Sequence, residues 1–190
     1  MWRMSIGLIV GLGVLLASSP PVAGRQTAGA AAGGFQYIDP FSPRQRVVVM
    51  TDIANEPDDQ MSLVRFLLYS NQFDVEGLVA TTSTWLKAGP RPDVILSVLD
   101  AYEQVQPNLL KHAQGFPAAA DLRKLVATGQ PAYGMASVGA AQLTPGAELI
   151  LRAAGRQDPR PLWVLAWGGT NTLAQALMTA RAARTPAEFE

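Results

Sequence analysis

The residues best equipped for chemistry are carboxylates crowded into one stretch, Thr51-Asp52-Ile53-Ala54-Asn55-Glu56-Pro57-Asp58-Asp59-Gln60. Four of the chain's fifteen acidic residues, Asp52, Glu56, Asp58 and Asp59, fall within eight positions. At ~4 Å and an effective dielectric near ~20, each like-charged pair costs about 4 kcal/mol. A bound hard cation removes that cost. Calcium takes roughly six to eight oxygen ligands and tolerates irregular geometry, so carboxylates supplemented by a backbone carbonyl suit it; magnesium prefers to keep several waters. A second explanation needs no ligand. Asn55 caps a helix, and Pro57 and the two aspartates occupy its first turn, where each carboxylate gains ~0.3–1 kcal/mol from the helix dipole. That accounts for one or two of the acids, and less easily for Asp52.

Composition restricts the other chemistries. The chain has 190 residues, 48% apolar and 16% charged, which suits one packed domain and argues against disorder. A formal net charge of zero gives no reason to expect a nucleic-acid or polybasic membrane partner. With no cysteine, disulfides and thiolate metal sites are excluded. His112 is the single histidine, which excludes a multi-histidine metal site and leaves a serine–histidine triad little ground. It falls in a helical connection and reads as a surface or packing residue.

The elements that must position the acids follow from hydrophobic pattern. Arg46 to Met50 contains the β-branched run Val47-Val48-Val49, the pattern of a strand buried on both faces. After the acidic loop, helical spacing covers Gln60 to Tyr69. Phe73 to Ala80 reads as a second strand, ending in Thr81-Thr82-Ser83-Thr84-Trp85. Helices are expected over Pro92 to Val105, near Ala118 to Ala127, and over Pro145 to Ala154, with Thr128 to Val138 a Gly- and Pro-containing loop. Pro161 to Trp167 reads as a third strand, and Gly168-Gly169-Thr170-Asn171 as a tight turn into a helix over Thr172 to Ala183. Alternating strands and helices imply an α/β fold, an open, mostly parallel sheet with helices on both faces. Ligands bind such sheets beyond the carboxyl ends of the strands. The acidic loop, Thr81 to Trp85 and Trp167-Gly168-Gly169 all belong at that edge.

The N-terminus reads as an export signal. Arg3 precedes an uncharged apolar run, Ile6 to Ala17, too short for the ~20 residues that span a ~30 Å bilayer. Residues 1–23 are therefore expected to be a signal peptide, cleaved after Ala23 or near Ala28-Gly29-Ala30, and residues 24–45 a flexible lead-in. The mature protein is expected to be secreted or periplasmic with no membrane partner once the signal is removed, and the lack of cysteine is compatible with that compartment.

Two segments carry a resemblance. VVVMTDIANEPDD with the later FDVEGLVATTS resembles the opening of nucleoside hydrolases, where a strand runs into an aspartate-rich loop, then a helix, then a strand ending in a Thr-Thr pair. PLWVLAWGGTNTLAQAL is similar to their strand followed by Gly-Gly-x-Thr-Asn and a helix. The pairing of TDIANEPDDQMSLVRFLLYS with DPRPLWVLAWGGTNTLAQAL is closer still to the nucleoside-hydrolase-like domain of a secreted bacterial family known for cellulose binding, within the inosine-uridine preferring nucleoside hydrolase superfamily. The resemblance covers residues 46–190. It implies that Asp52 binds calcium and activates water, that Asp59 is a second metal ligand, and that Trp167 offers a backbone carbonyl. It places Asp58 on sugar hydroxyls; Glu56, Trp85 and Asn171 are expected as further substrate contacts. The loop departs from the family pattern: it is two residues longer between Asp52 and Asp58 and lacks the usual glycine. No asparagine stands near Trp85, where nucleoside hydrolases place one.

The expected activity is calcium-assisted hydrolysis of an N-glycosidic or related glycosidic bond, with Asp52 as base. The alternative is the same fold without catalysis, holding cellulose or another polysaccharide by stacking on tryptophan. Trp85, in a loop, is the candidate for such stacking. Trp163 and Trp167 share one strand face, and Trp163 is expected to pack in the core. No segment matches the family's late metal-ligand aspartate, and Arg184 to Glu190 reads as the start of a helix. The chain is therefore expected to be the N-terminal part of the domain and inactive by itself.

Overall fold

The computed structural model describes residues 43–139 and 143–189. The expected signal peptide and nearly all of the lead-in fall outside the described residues. The first strand already begins at Gln45.

Four parallel strands form the sheet, β1 (Gln45–Thr51), β2 (Phe73–Ala80), β3 (Val126–Thr128) and β4 (Leu162–Ala166), in the order β3-β2-β1-β4. Six helices accompany them among the described residues: α1 (Pro57–Leu68), α2 (Pro92–His112), α3 (Ala119–Lys124), α4 (Pro145–Ala154), α5 (Asn171–Ala182) and α6 (Pro186–Phe189). The period-2 alternation of β1 sorts its side chains between two cores. Val47 and Val49 face Leu63, Phe66 and Leu67 of α1, Ile95 and Leu99 of α2 and Leu122 of α3. Val48 and Met50 face Ala147, Ile150 and Ala153 of α4 and Ala176 of α5. β1 therefore lies at the centre with both faces covered, which is why its sequence is a continuous apolar run.

β1 and β2 pair Val47 with Val75 but Val48 with Gly77, so Glu76 sits in a β-bulge. Its carboxylate accepts from Arg46 Nε and Nη2, side-on, at 2.6 and 3.1 Å. Arg46 is buried and also donates to the carbonyls of Ala153 and Arg160, so the ion pair is fully hydrogen-bonded at the amino edge of the sheet. Asp52, Glu56, Asp58 and Asp59 follow β1 at the opposite, carboxyl edge.

Several expectations need correction. The helix expected near Ala118 to Ala127 ends at Lys124, and Val126–Thr128 is a strand. Three residues are too few to show period-2 alternation; β3 exists because β2 offers it a pairing edge. α2 continues past Val105 and through Pro107, with Leu109 beyond the proline packed against the first core. α1 starts at Pro57 rather than Gln60, so Asp58 and Asp59 lie in its first turn. Asn55 does not cap it: the N-cap is Glu56, without a side-chain hydrogen bond. Trp163 is not a core residue but 54% exposed, its indole N–H donating to Gln45 at 3.1 Å. It shares its face with Trp167 as expected, but on edge strand β4 no described helix covers it.

Candidate functional site

The ends of the three longer strands are tied level by backbone bonds that continue the sheet: Thr81 N–H to Thr51 carbonyl at 2.7 Å, and Trp167 N–H to Met50 carbonyl at 2.9 Å. Above them opens a cavity of about 500 Å³ lined by Asp52, Glu56, Asp58, Asp59, Thr82 to Trp85, Tyr133 to Met135 and Trp167 to Asn171. All seven residues singled out from sequence, Asp52, Glu56, Asp58, Asp59, Trp85, Trp167 and Asn171, line this one cavity.

The acidic loop is fixed by its least polar member. Ile53 is fully buried in the first core, and its N–H donates to the Thr51 hydroxyl oxygen at 3.1 Å. That hydroxyl donates in turn to Asp59 Oδ2 at 2.5 Å, and the Asp52 N–H reaches the same oxygen at 3.1 Å. Ala54 turns the chain at φ 91°, a conformation that favours glycine, at the loop whose sequence lacks the family's glycine. Such strain, on the order of 1–3 kcal/mol, persists where the surroundings over-determine the backbone. Here the buried Ile53 on one side and the Asp59 bonds on the other supply that constraint.

Two neighbouring aspartates end up in opposite environments. Asp58 is exposed, whereas Asp59 is 8% exposed. Burial first, then the hydrogen bond and charge of Asp52 and the charge of Asp58, together push the Asp59 carboxyl up to about 6, against the Thr51 hydrogen bond that lowers it. Near neutral pH the site therefore holds a carboxylate under electrostatic pressure, relieved by a proton or a cation.

Gly168 and Gly169 allow the close approach of the β4 loop. A Cβ on Gly168 would lie 2.7 Å from Asp52 Oδ1 and 2.8 Å from its backbone nitrogen. One on Gly169 would lie 2.1 Å from the Thr82 carbonyl, which the Gly169 N–H contacts at 3.1 Å. The Trp167 ring anchors the same turn by an edge-on contact with Phe66, ring centres 6.1 Å apart. Trp85, 69% exposed, is presented by a turn in which the Ser83 hydroxyl accepts the N–H groups of Trp85 and Leu86 at 2.9 and 3.0 Å. Asn171, the first residue of α5, is buried, and its amide joins Thr82 to the segment after β3.

That segment is the part of the site that sequence reasoning missed. Tyr133, Gly134 and Met135 line the cavity, with Lys87 5.5 Å over the Tyr133 ring. The available signal was a large apolar residue on each side of a glycine a few residues after a strand, but β3 is too short to show a strand pattern. His112 ends α2, exposed and away from the cavity.

The oxygen-only donor set fits a hard cation in kind. It is incomplete as a cage: among the described residues no group of three His, Cys, Asp or Glu side chains is arranged to hold a metal ion. Asp52 and Asp59 offer a carboxylate pair, and the remaining positions would fall to carbonyls, water and ligand.

With this geometry in hand, comparison with known proteins is decisive for family. Residues 46–190 match the family described as "Cellulose-binding Sde182, nucleoside hydrolase-like domain". The chain belongs to this family. Among solved structures it is similar to a nucleoside hydrolase-related hypothetical protein from Saccharophagus degradans associated with carbohydrate metabolism, at 42% identity and a TM-score of 0.75. The match covers 77% of this chain and 36% of that one, so the chain spans about a third of its solved relative. No curated protein matches. The parallel sheet and its helices are thus those of a nucleoside-hydrolase-like α/β fold.

Proposed function

We propose that the cavity binds the hydroxyl-bearing ring of a glycoside and that the complete protein hydrolyses an N-glycosidic or related glycosidic bond with calcium held at Asp52 and Asp59. The supporting observation is the buried Asp59 carboxyl, raised to about 6 and hydrogen-bonded to Thr51 and the Asp52 N–H at the base of the cavity. A hard cation relieves that repulsion, and two carboxylates leave most of calcium's coordination positions to the Trp167 carbonyl, water and vicinal sugar hydroxyls. When bound, calcium supplies charge neutralisation and Lewis acidity toward water.

The chain's own groups then have distinct tasks. Asp52 takes the proton of the attacking water as the glycosidic bond breaks and the sugar ring gains oxocarbenium character, the departing group taking its proton from solvent at the open mouth of the cavity. Asp58 and Glu56, exposed at the cavity mouth, accept hydrogen bonds from ring hydroxyls. Gly168 keeps the β4 turn pressed on Asp52 and Gly169 keeps it pressed on Thr82, which holds the base in place. Export through residues 1–23 would deliver this chemistry outside the cytoplasm.

A second reading has its own support. Trp85 stands exposed in the wall of the cavity that Asp52 also lines, and a flat aromatic face suits a pyranose ring. Together with the family's description, this favours a non-catalytic cellulose- or polysaccharide-binding module on the same fold. The test uses the full-length protein with a nucleoside panel and with insoluble cellulose, each in calcium and in chelator. Sugar release that requires calcium supports the hydrolase. No release across the panel ends that reading, and sedimentation with cellulose in chelator then favours the binding module.

A further inference from the structure

Tyr133, Gly134 and Met135 form part of the cavity wall, yet no residue of segment 131–139 belongs to either hydrophobic core. Tyr133 is 43% exposed and Met135 64%, so apolar burial does not fix this wall. Three buried side-chain amides do. Asn171, Gln130 and Gln175 are 6%, 2% and 5% exposed. The Asn171 amide group donates to the Ala132 carbonyl at 2.8 Å and to the Ser137 and Thr82 hydroxyl oxygens, each at 3.2 Å. Gln130 donates through Nε2 to the Ser137 carbonyl, while its Oε1 accepts from the Thr144 hydroxyl at 2.8 Å. Gln175 Oε1 accepts the Gly139 N–H at 2.9 Å. Ser137 closes the segment on itself, its hydroxyl donating to the Ala132 carbonyl at 2.7 Å.

We infer that Asn171 is a positioning residue, a latch that with Gln130 and Gln175 clamps segment 131–139 in place as a wall of the cavity. Asn171 Oδ1 is sealed from solvent and accepts no hydrogen bond from the described residues. The side chain therefore acts through its donor end alone, and the segment and Thr82 occupy that end. Only an amide does this: a carboxylate at the same position would set an acceptor oxygen against the Ala132 carbonyl. Holding Tyr133 and Met135 at the mouth makes the latch a determinant of which group attached to the bound ring is admitted, a consequence that rests on the glycoside reading above.

Hydrogen exchange of the ligand-free protein tests the latch. In Asn171→Asp, the hydrogen-bonded amides of Ser137, Val138 and Gly139 exchange about tenfold faster or more while those of β1 and β2 keep their protection, because the segment opens as a local unit. Ser137→Ala, which removes one acceptor and the closing bond at a half-buried position, accelerates the same amides and decides the matter alone if the Asp variant fails to fold. Unchanged exchange in the segment, or acceleration spread evenly over the sheet, overturns the inference. Because no ligand is present, a protein that neither hydrolyses nor binds sugars but shows the local effect sinks the glycoside reading and leaves the latch standing.

Discussion

Replacing Asp59 by Asn removes a buried charge with little change of shape. An amide oxygen can still accept from the Thr51 hydroxyl and the Asp52 N–H, the two donors that Asp59 Oδ2 engages at 2.5 and 3.1 Å. Its carboxyl is raised to about 6 from an ordinary 3.8, first by burial and then by Asp52 and Asp58. At 1.36 kcal/mol per unit, keeping it ionised at neutral pH costs the native state on the order of 2–3 kcal/mol. The folded value lies above the unfolded one, so the native state binds the extra proton between pH ~4 and ~6. Stability from this group is greatest at the acid end of that window, falls as pH rises through it, and is lost above about 6. In chelator at neutral pH, Asp59→Asn is expected to be about 1–3 kcal/mol more stable than the parent, with a shallower loss across that window. Calcium at ~100-fold above its dissociation constant adds about 2.7 kcal/mol to the parent and less to the variant, closing or reversing the gap. Urea unfolding followed by tryptophan fluorescence measures all four conditions. A variant less stable than the parent in chelator, or equal stabilisation of both by calcium, refutes the electrostatic account.

Other perturbations probe the frame around the acids. Gly169→Ala drives a Cβ to 2.1 Å from the Thr82 carbonyl, a backbone group that cannot step aside, and is expected to cost roughly 2 kcal/mol or more in chemical denaturation. Glu76→Ala leaves the 2%-exposed Arg46 without its bidentate partner and should cost roughly 3 kcal/mol or more by the same measurement. Ala54→Gly relieves the φ of 91° and should be neutral or stabilising; a loss near the ~1 kcal/mol usual for introducing glycine would show that the turn is unstrained. Trp85→Ala, at a 69%-exposed position, should leave stability within about 0.5 kcal/mol while lowering retention on insoluble cellulose; full retention would remove Trp85 from the ligand surface.

The strands that frame the site were legible because each is long enough to show its pattern. β1 is apolar without interruption since both of its faces are covered, and that pattern needs no partner to be recognised. The Thr-Thr and Gly-Gly pairs at strand ends announced sharp changes of direction. β3 was illegible because its three residues gain strand geometry only from the edge of β2. Trp163 and Trp167 look equivalent in sequence, yet one is exposed on an edge strand and the other is pinned against Phe66.

The sequence by itself determined the longer strands and helices, that the carboxylates follow a buried strand, and that glycines stand where the chain must turn tightly. These are consequences of local pattern, side-chain size and charge spacing. Only the tertiary structure decided that Asp59 rather than Asp58 is buried, since that depends on the Thr51 hydroxyl and the packing of α1. It also decided that a loop more than seventy residues away walls the cavity, because hydrogen bonds from Asn171, Gln130 and Gln175 leave no periodicity for a sequence to display.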